Sequence, residues 1–570
     1  MRIALITTLV LSLCLFADTV FQRIEEDQNL TVDQRALYLA YSVLDPGRLP
    51  LEYVTDAGFY RSGTPALHEA SLLYDQISLE ILDKILTLAN RPVLSGSPTS
   101  FVSDSGHFRI HYTTTGADAC TQTYAETIAG NMDISWAVEC DDMGYLTPPP
   151  DNNVGGDNLY DVYISFLSGG TLGYTSSGGE WKPPDSTQAC SASHIVMSRS
   201  LGSNHSKVTS AHEFMHAIQM TYDYLEPTWF MENCAVWAED RVFDDINDYL
   251  LYYNLGAIKK PYIKIDGGSM YWYGASYWPR MMGVMFGVDA VREVWEYCYA
   301  TVGGNMWDAQ EDMFEAHGIS FEQGFMLYGL WRYMVGPNYG STFNLFDEEA
   351  DTWGAPRVFY WHESTTLPFS GDQGEHSQYL LDPRGIAWLT VDLADYQGGW
   401  VEIDFDGRDN YEWNLAAIIY NEDNFQFSWF DCDPVTGEKT IAVPTEGWDH
   451  AVFFPAFMTQ TSFTANYVYT ISYSTGIEEG ETETLAATEL TIESNPMVAG
   501  SALSFNIPTT GHTDLSLIDM TGRRVSTLFS GVAEQGSHSV EFQGGLASGT
   551  YFVLLRHENS LEAARISILR

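Results

Sequence analysis

The sequence predicts an α+β chain of several domains. Three observations carry that expectation. Amphipathic helical periodicity fills residues 18–97 and returns around residues 206–240. Period-two alternation broken by Gly-rich turns runs from about residue 355 to the end. The length, 570 residues, exceeds one domain at about 100–200 residues each. Hydrophobic residues make up 45% and aromatics 14%, enough to build cores, which excludes a disordered or collagen-like chain. Asp and Glu number 76 against 27 Lys and Arg, a net charge of -49. The excess arises from scarce bases rather than from acidic tracts. Phosphate contacts need Lys and Arg, so neither nucleic acid nor an anionic lipid surface is an expected partner.

The N-terminus, MRIALITTLVLSLCLFAD, has a basic residue and then an apolar run from Ile3 to Phe16. That run is shorter than the ~20 residues that span a bilayer, so residues 1–17 read as a cleaved secretory signal peptide. Leu13, before Cys14, is too large for a lipoprotein signal. Six cysteines then remain: 120, 140, 190, 234, 298 and 432. Ala117 to Cys140 reads as one helix, which would hold Cys120 and Cys140 ~30 Å apart, beyond the ~7 Å reach of a disulfide. No CxxC pair is present. Residues 18–97 read as helical. Thr31 with Gln34 forms a capping-box pattern, and TPALHEASLLYDQISLEILDKILTLANRP reads as a second amphipathic stretch. This region shows no chemistry of its own and is read as a propeptide or as a helical layer.

Residues 98–350 hold the chemistry. Phe108, Ile110 and Tyr112 alternate, as do Val162, Ile164 and Phe166, so both runs read as half-buried strands. SASHIVMS is a further strand. In SKVTSAHEFMHAIQMTYDY, Val208, Ala211, Met215 and Ile218 form one buried stripe. His212 and His216, at i and i+4, stand one above the other on another face. Two imidazoles so placed can hold one Zn2+ at ~2.0–2.1 Å, and Glu213 can act as general base on water, the HExxH arrangement. A catalytic zinc takes a third protein ligand and keeps an open position. A metzincin would need His at Tyr222 and Gly at Gln219, so that class is excluded. Gluzincins take a Glu from the next helix, and EPTWFMENCAVWAED offers Glu232, with Trp229, Val236 and Glu239 on the same helical face.

HEFMHAIQ followed by W-x-x-E-x-x-A-x-W-x-E resembles the gluzincin metallopeptidases, most closely a group of secreted bacterial metalloproteases. The resemblance covers about residues 100–340, where GHFRIHYTTTG and GGDNLYDVYISF also fit. It implies a zincin-like metalloprotease domain with His212, His216 and Glu232 as zinc ligands and Glu213 as catalytic base. It also implies that a strand near SASHIVMS lies beside an extended substrate. Thermolysin-like enzymes carry an Asp where this chain has Val236, so Glu239 is expected to orient a ligand instead. MEN at 231–233 lacks the setting of an exopeptidase anchor, which favours an endopeptidase. Tyr271-Trp272-Tyr273-Gly274 matches a Y-x-x-G segment of aminopeptidase N relatives and points to Tyr271, with Tyr273 second, as an oxyanion donor. Packing aromatics are the plain alternative for both. His205 reads as a loop or N-cap neighbour. Asp151, Asp157 and Asp161 raise a weak case for Ca2+, with a solvated loop as the alternative.

Residues 355–475 read as a β-sandwich, with Val401, Ile403 and Phe405 alternating against acidic residues. Residues 476–487 are a polar linker. In residues 488–570, Asn495-Pro496, Leu515 to Asp519, Gly522-Arg523 and Gly549-Thr550-Tyr551-Phe552 resemble the type A sorting domain of the type IX secretion system. That implies an immunoglobulin-like sandwich, engagement of the secretion machinery, and either removal of the tail or surface anchoring.

The expectation is therefore a secreted or outer-membrane-surface zinc endopeptidase acting on protein or peptide substrates, monomeric, with no transmembrane segment in the mature chain. The alternatives are a surface adhesin with an inactive protease-like domain, and an aminopeptidase.

Overall fold

In a computed structural model the chain divides into two compact units. The first takes in the described residues up to Tyr249, with Gly268–Pro279 and Val288–Gln310; the second takes in Leu250–Gly267, Arg280–Gly287 and Glu311–Arg570. The structure describes residues 19–55, 61–180, 189–253, 256–268, 270–301, 304–338, 366–372, 380–476, 482–485, 488–519 and 524–570. The expected signal segment, most of the 476–487 linker, and Gly522-Arg523 lie outside them. The secondary structure is α+β, as the sequence predicts.

In the first unit the N-terminal helices are α1 (Val20–Glu26) and α2 (Val32–Leu44). The capping box that starts α2 forms as expected: the Gln34 amide N–H donates to the Thr31 hydroxyl, and the Gln34 side chain accepts from the Thr31 N–H. The second amphipathic stretch is interrupted. It makes α3 (Thr64–Ser71) and α4 (Leu79–Leu88), because Ser78 leaves the helical path to donate its N–H and its hydroxyl to Asp33, each at 2.8 Å.

A five-stranded sheet follows, made of β1 (Pro98–Val102), β2 (Phe108–Thr113), β3 (Tyr160–Ser165), β4 (Gly173–Glu180) and β5 (Ser191–Ser198), in the order β1-β2-β3-β5-β4. β2, β3 and β5 pair in parallel, and β1 and β4 are antiparallel edges. β2 alternates as expected. β3, expected to be half-buried, is buried on both faces because it lies between two parallel neighbours, and Phe166 falls past its end, 54% exposed. β5 is paired on both sides, so it cannot receive a substrate strand; the edge strand is β4.

Helix α5 (Gln122–Trp136) begins after the Thr121 cap and runs into a π-helical turn, Ala137–Asp142. Cys120 therefore precedes the helix, where its N–H bonds to the Thr113 carbonyl at 2.9 Å. The six cysteines among the described residues are free. Helices α6 (Ser203–Tyr222) and α7 (Thr228–Val242) pack on each other, and α6 also packs on α5, β4 and β5. The single apolar stripe expected on α6 understates its burial, since every residue from Val208 to Tyr222 is buried.

The second unit is a sandwich. One sheet contains β6 (Trp400–Gly407) and β10 (Tyr467–Ser474); the other contains β7 (Trp413–Tyr420), β8 (Asn424–Asp431) and β9 (His450–Phe457). Val401, Ile403 and Phe405 point into the core between them. The C-terminal strands β11 (Gly511–Asp519), β12 (Gly549–His557) and β13 (Ser560–Ile568) build a separate core yet continue the second sheet, because β13 pairs antiparallel with β8. Helix α9 (Phe321–Tyr333), expected with residues 98–350, belongs to this unit: the Tyr333 ring packs against Trp388 and Phe454. No helix among the described residues is long and apolar enough to cross a membrane.

Glu226, just before α7, is 4% exposed and accepts from the Met306 N–H at 2.8 Å. Burial, with the neighbouring Asp223, pushes its carboxyl up to about 7. The folded state therefore holds a proton that the unfolded chain releases near 4.5, and the stability this contributes is lost as pH rises from there through 7. We expect Glu226→Gln to flatten that loss. Its melting temperature relative to the parent should climb between pH 4.5 and 7, by roughly 2–4 °C per kcal/mol; parallel melting curves against pH would refute this.

Candidate metal centre

Because α6 is buried all round from Val208 to Tyr222, each polar side chain of that stretch must find a partner inside the protein. Glu239, one face of α7 along from Glu232, reaches His212: its Oε1 lies 2.7 Å from Nδ1. The orienting role expected of Glu239 thus has its geometry. Gln219 does the same for His216, with Oε1 2.8 Å from Nδ1, and its own Nε2 donates to the Met231 carbonyl at 2.9 Å. That second bond leaves Oε1 as the atom facing the imidazole, so Nδ1 of His216 is the donor.

Both imidazoles then turn Nε2 towards Glu232. His216 Nε2 stands 3.0 Å from Oε1 and His212 Nε2 3.4 Å from Oε2. Glu232 and His216 are fully buried and His212 is 4% exposed. None of these four atoms makes a hydrogen bond. With Nδ1 protonated on each ring, two imidazole lone pairs face a carboxylate in a low-dielectric interior, which is repulsive without a positive charge among them. His212, His216 and Glu232 offer one ligand atom each within 4.8 Å of one another. This donor set, two nitrogens and an oxygen, fits Zn2+. The electrostatics agree in sign. Burial works against an imidazolium at His212, yet Glu232 and Glu239 outweigh it and hold that group well above its ordinary value. Burial likewise works against the Glu232 carboxylate, but His216 and His212 pull it below the usual carboxylate range.

Glu213, fully buried, sits beside this cluster with a divided carboxylate. Oε2 accepts from the Thr64 hydroxyl at 2.8 Å and lies 2.9 Å from the Thr175 hydroxyl; Oε1 has no protein partner. β4 passes close by. A Cβ on Gly173 would come within 2.9 Å of Thr209 Cγ2 and 3.1 Å of Glu213 Cγ.

The ring of Tyr273, the second choice of the two tyrosines on α8 (Met270–Gly274), lies parallel to His212, with centroids 5.9 Å apart and planes at 9°. Tyr271 is buried on the same turn. His205 is not in a loop: it lies in the first turn of α6, three residues after the Gly202 cap, and is exposed. The carboxylates considered for calcium are matched to bases instead. Arg91 pairs with both Asp151 and Asp161, His111 Nε2 lies 2.6 Å from Asp161 Oδ1, and Arg109 Nε donates to Asp157 at 3.0 Å. The two arginines offset part of the charge of the three carboxylates.

Sequence reasoning missed Gln219, Thr64 and Thr175. Gln219 had a signal, since it stands at i+3 from His216 on a helix already identified. Thr64 and Thr175 had none, because only the tertiary contact brings them to Glu213. Glu139 was also missed. It lies in the π-helical turn, fully buried with neither oxygen hydrogen-bonded, and burial pushes its carboxyl well up.

No family model and no curated protein matches the chain. Solved structures with partial similarity include β-glucuronidase 3 of Bacteroides uniformis, at 12% identity and a TM-score of 0.13, covering 32% of this chain and 27% of that one. A family 2 glycosyl hydrolase from Bacteroides cellulosilyticus aligns at 13% identity and a TM-score of 0.12, covering 32% and 28%. The glycoside hydrolase domain of Endo-D from Streptococcus pneumoniae aligns at 8% identity and a TM-score of 0.12, covering 35% and 33%. The chain spans about a third or less of each of these proteins, and likeness at this level carries no argument about activity.

The tight approach at Gly173 is testable. Gly173→Ala should overpack the site and cost about 1–3 kcal/mol, read as a lower melting temperature. Gly130→Ala, on α5 with nothing within 4 Å of the added carbon, should be neutral or stabilising by roughly 0.5–1 kcal/mol. Equal melting of both variants would show that the Glu213 pocket has slack.

Proposed function

We propose that the chain is a zinc-dependent endopeptidase of gluzincin type, with a zincin-like domain around α6 and α7. The observation that carries this reading is the convergence of His212, His216 and Glu232, whose four facing atoms lack hydrogen bonds, next to a Glu213 oxygen that also lacks a partner. The three ligating side chains would hold the ion. Bound there, zinc supplies Lewis acidity, lowering the pKa of a water towards ~7 and polarising a carbonyl. Glu213 Oε1 accepts the proton of the attacking water and returns it to the leaving amine, general acid–base work by one carboxylate. Glu239 and Gln219 keep both imidazoles in the tautomer that presents Nε2. A phenol from Tyr273 or Tyr271 donates to the oxyanion, where charge appears only in the transition state.

The ends of the sequence support export: an apolar leader at residues 1–17 and a C-terminal segment like a type IX sorting domain. We propose a secreted or surface-attached enzyme whose substrates are extracellular proteins or peptides.

Purified protein should carry about one zinc per chain. It should cut a protein substrate internally, act on N-blocked peptides, and lose activity with a chelator. Glu213→Gln should keep its zinc and lose at least ~10²-fold in rate, whereas His216→Ala should lose the metal. Proteolysis retained in Glu213→Gln, measured by mass spectrometry of the products, would overturn the assignment; cutting confined to free N-termini would make it an aminopeptidase.

A further inference from the structure

The N-terminal segment enters the site directly, which neither the sequence pattern nor the endopeptidase reading foresees. Resting on that reading, we propose that Thr64 is a positioning residue for Glu213, and that residues 61–71 are a permanent part of the catalytic unit rather than a propeptide released on activation.

The hydrogen-bond directions fix the geometry. The Thr64 hydroxyl oxygen accepts from the Thr175 N–H at 2.8 Å. Its single proton is thereby directed to Glu213 Oε2, 2.8 Å away. Oε2 is held from the N-terminal segment, and Oε1 is the oxygen left for water. A general base works only within hydrogen-bond reach of the proton it takes, so the orientation of this carboxylate matters as much as its presence.

The segment is anchored on three sides. Ser62 bridges Gly173 at the start of edge strand β4: the Gly63 N–H donates to the Gly173 carbonyl at 2.9 Å and the Leu172 N–H to the Arg61 carbonyl at 2.8 Å. Arg61 pairs with Asp248 at 2.6 Å. From α3, His68 spans the Tyr224 carbonyl at 2.6 Å and the Thr228 hydroxyl at 2.7 Å, at the first residue of the helix that carries Glu232. Ser62, Thr64 and His68 are 2%, 1% and 3% exposed. Releasing the segment would take the Thr64 hydroxyl from the buried Glu213 carboxylate, leave the Thr175 N–H without its acceptor, and bare the start of α7. An inhibitory segment gains by covering the reacting atoms; this one bonds Oε2 and leaves Oε1 unpaired.

The test uses the full chain with Thr64→Val, which removes the hydroxyl at nearly constant volume, and Thr64→Ser, which keeps it. Zinc content, melting temperature, kcat and KM are read on a peptide substrate, together with the intact mass of the active species. Thr64→Val should keep zinc and a cooperative melt while kcat falls at least ~10-fold at similar KM, Thr64→Ser should restore kcat to within about 2-fold, and the active species should retain residues 61–71. Unchanged kcat in Thr64→Val would overturn the positioning role. So would loss of zinc or of folding in that variant, which marks a purely structural residue. An active species lacking residues 61–71 would overturn the permanence. Failure of the endopeptidase reading is distinguishable, because it would show in the parent protein as absent zinc or as hydrolysis that survives Glu213→Gln.

Discussion

Two imidazole nitrogens and both oxygens of a carboxylate meet in the buried interior with no hydrogen bond among them. Their mutual repulsion is the constraint around which the first unit is arranged. Acceptors can face one another in a low-dielectric site only if a positive charge joins them and the surroundings keep each ring from turning away. Glu239 and Gln219 supply that restraint by holding Nδ1 of His212 and His216. The restraint propagates: Gln219 is fixed by the Met231 carbonyl, so the two helices that carry His216 and Glu232 are tied by the same bonds that orient the imidazole.

Glu213 poses the complementary problem, since a buried carboxylate must be at least partly satisfied to be tolerated. Thr64 donates to Oε2, the Thr175 hydroxyl is shared between Oε2 and the Glu213 carbonyl, and Oε1 is left. One hydroxyl comes from the edge strand and the other from a segment that precedes the sheet. The sheet edge, the N-terminal helices and the helix bearing the motif therefore depend on one another, and the region that shows no chemistry in the sequence becomes part of the site.

The second unit is governed by a different rule. A sheet edge left unpaired is a liability. The edge of β8 is covered by β13, so that the C-terminal sandwich and the preceding one share a continuous sheet while keeping separate cores. The backbone ladder joins what composition alone divides at the polar linker.

The sequence by itself determined whatever local periodicity encodes. An i, i+4 spacing stacks His212 and His216, a 3-4-3 stepping puts Glu232 and Glu239 on one face of α7, Thr31 with Gln34 caps a helix, and alternation places Val401, Ile403 and Phe405 inward. Each depends only on the pitch of a helix or the pleat of a strand. Tertiary structure alone decided which strands are interior, hence the burial of both faces of β3 and the pairing of β5 on both sides. It also decided that Asp151, Asp157 and Asp161 meet arginines, and that Thr64 meets Glu213 across 149 residues. The physical reason is that a side-chain hydrogen bond between distant segments depends on which surfaces pack together, and periodicity reports only that a face is buried, never what it is buried against.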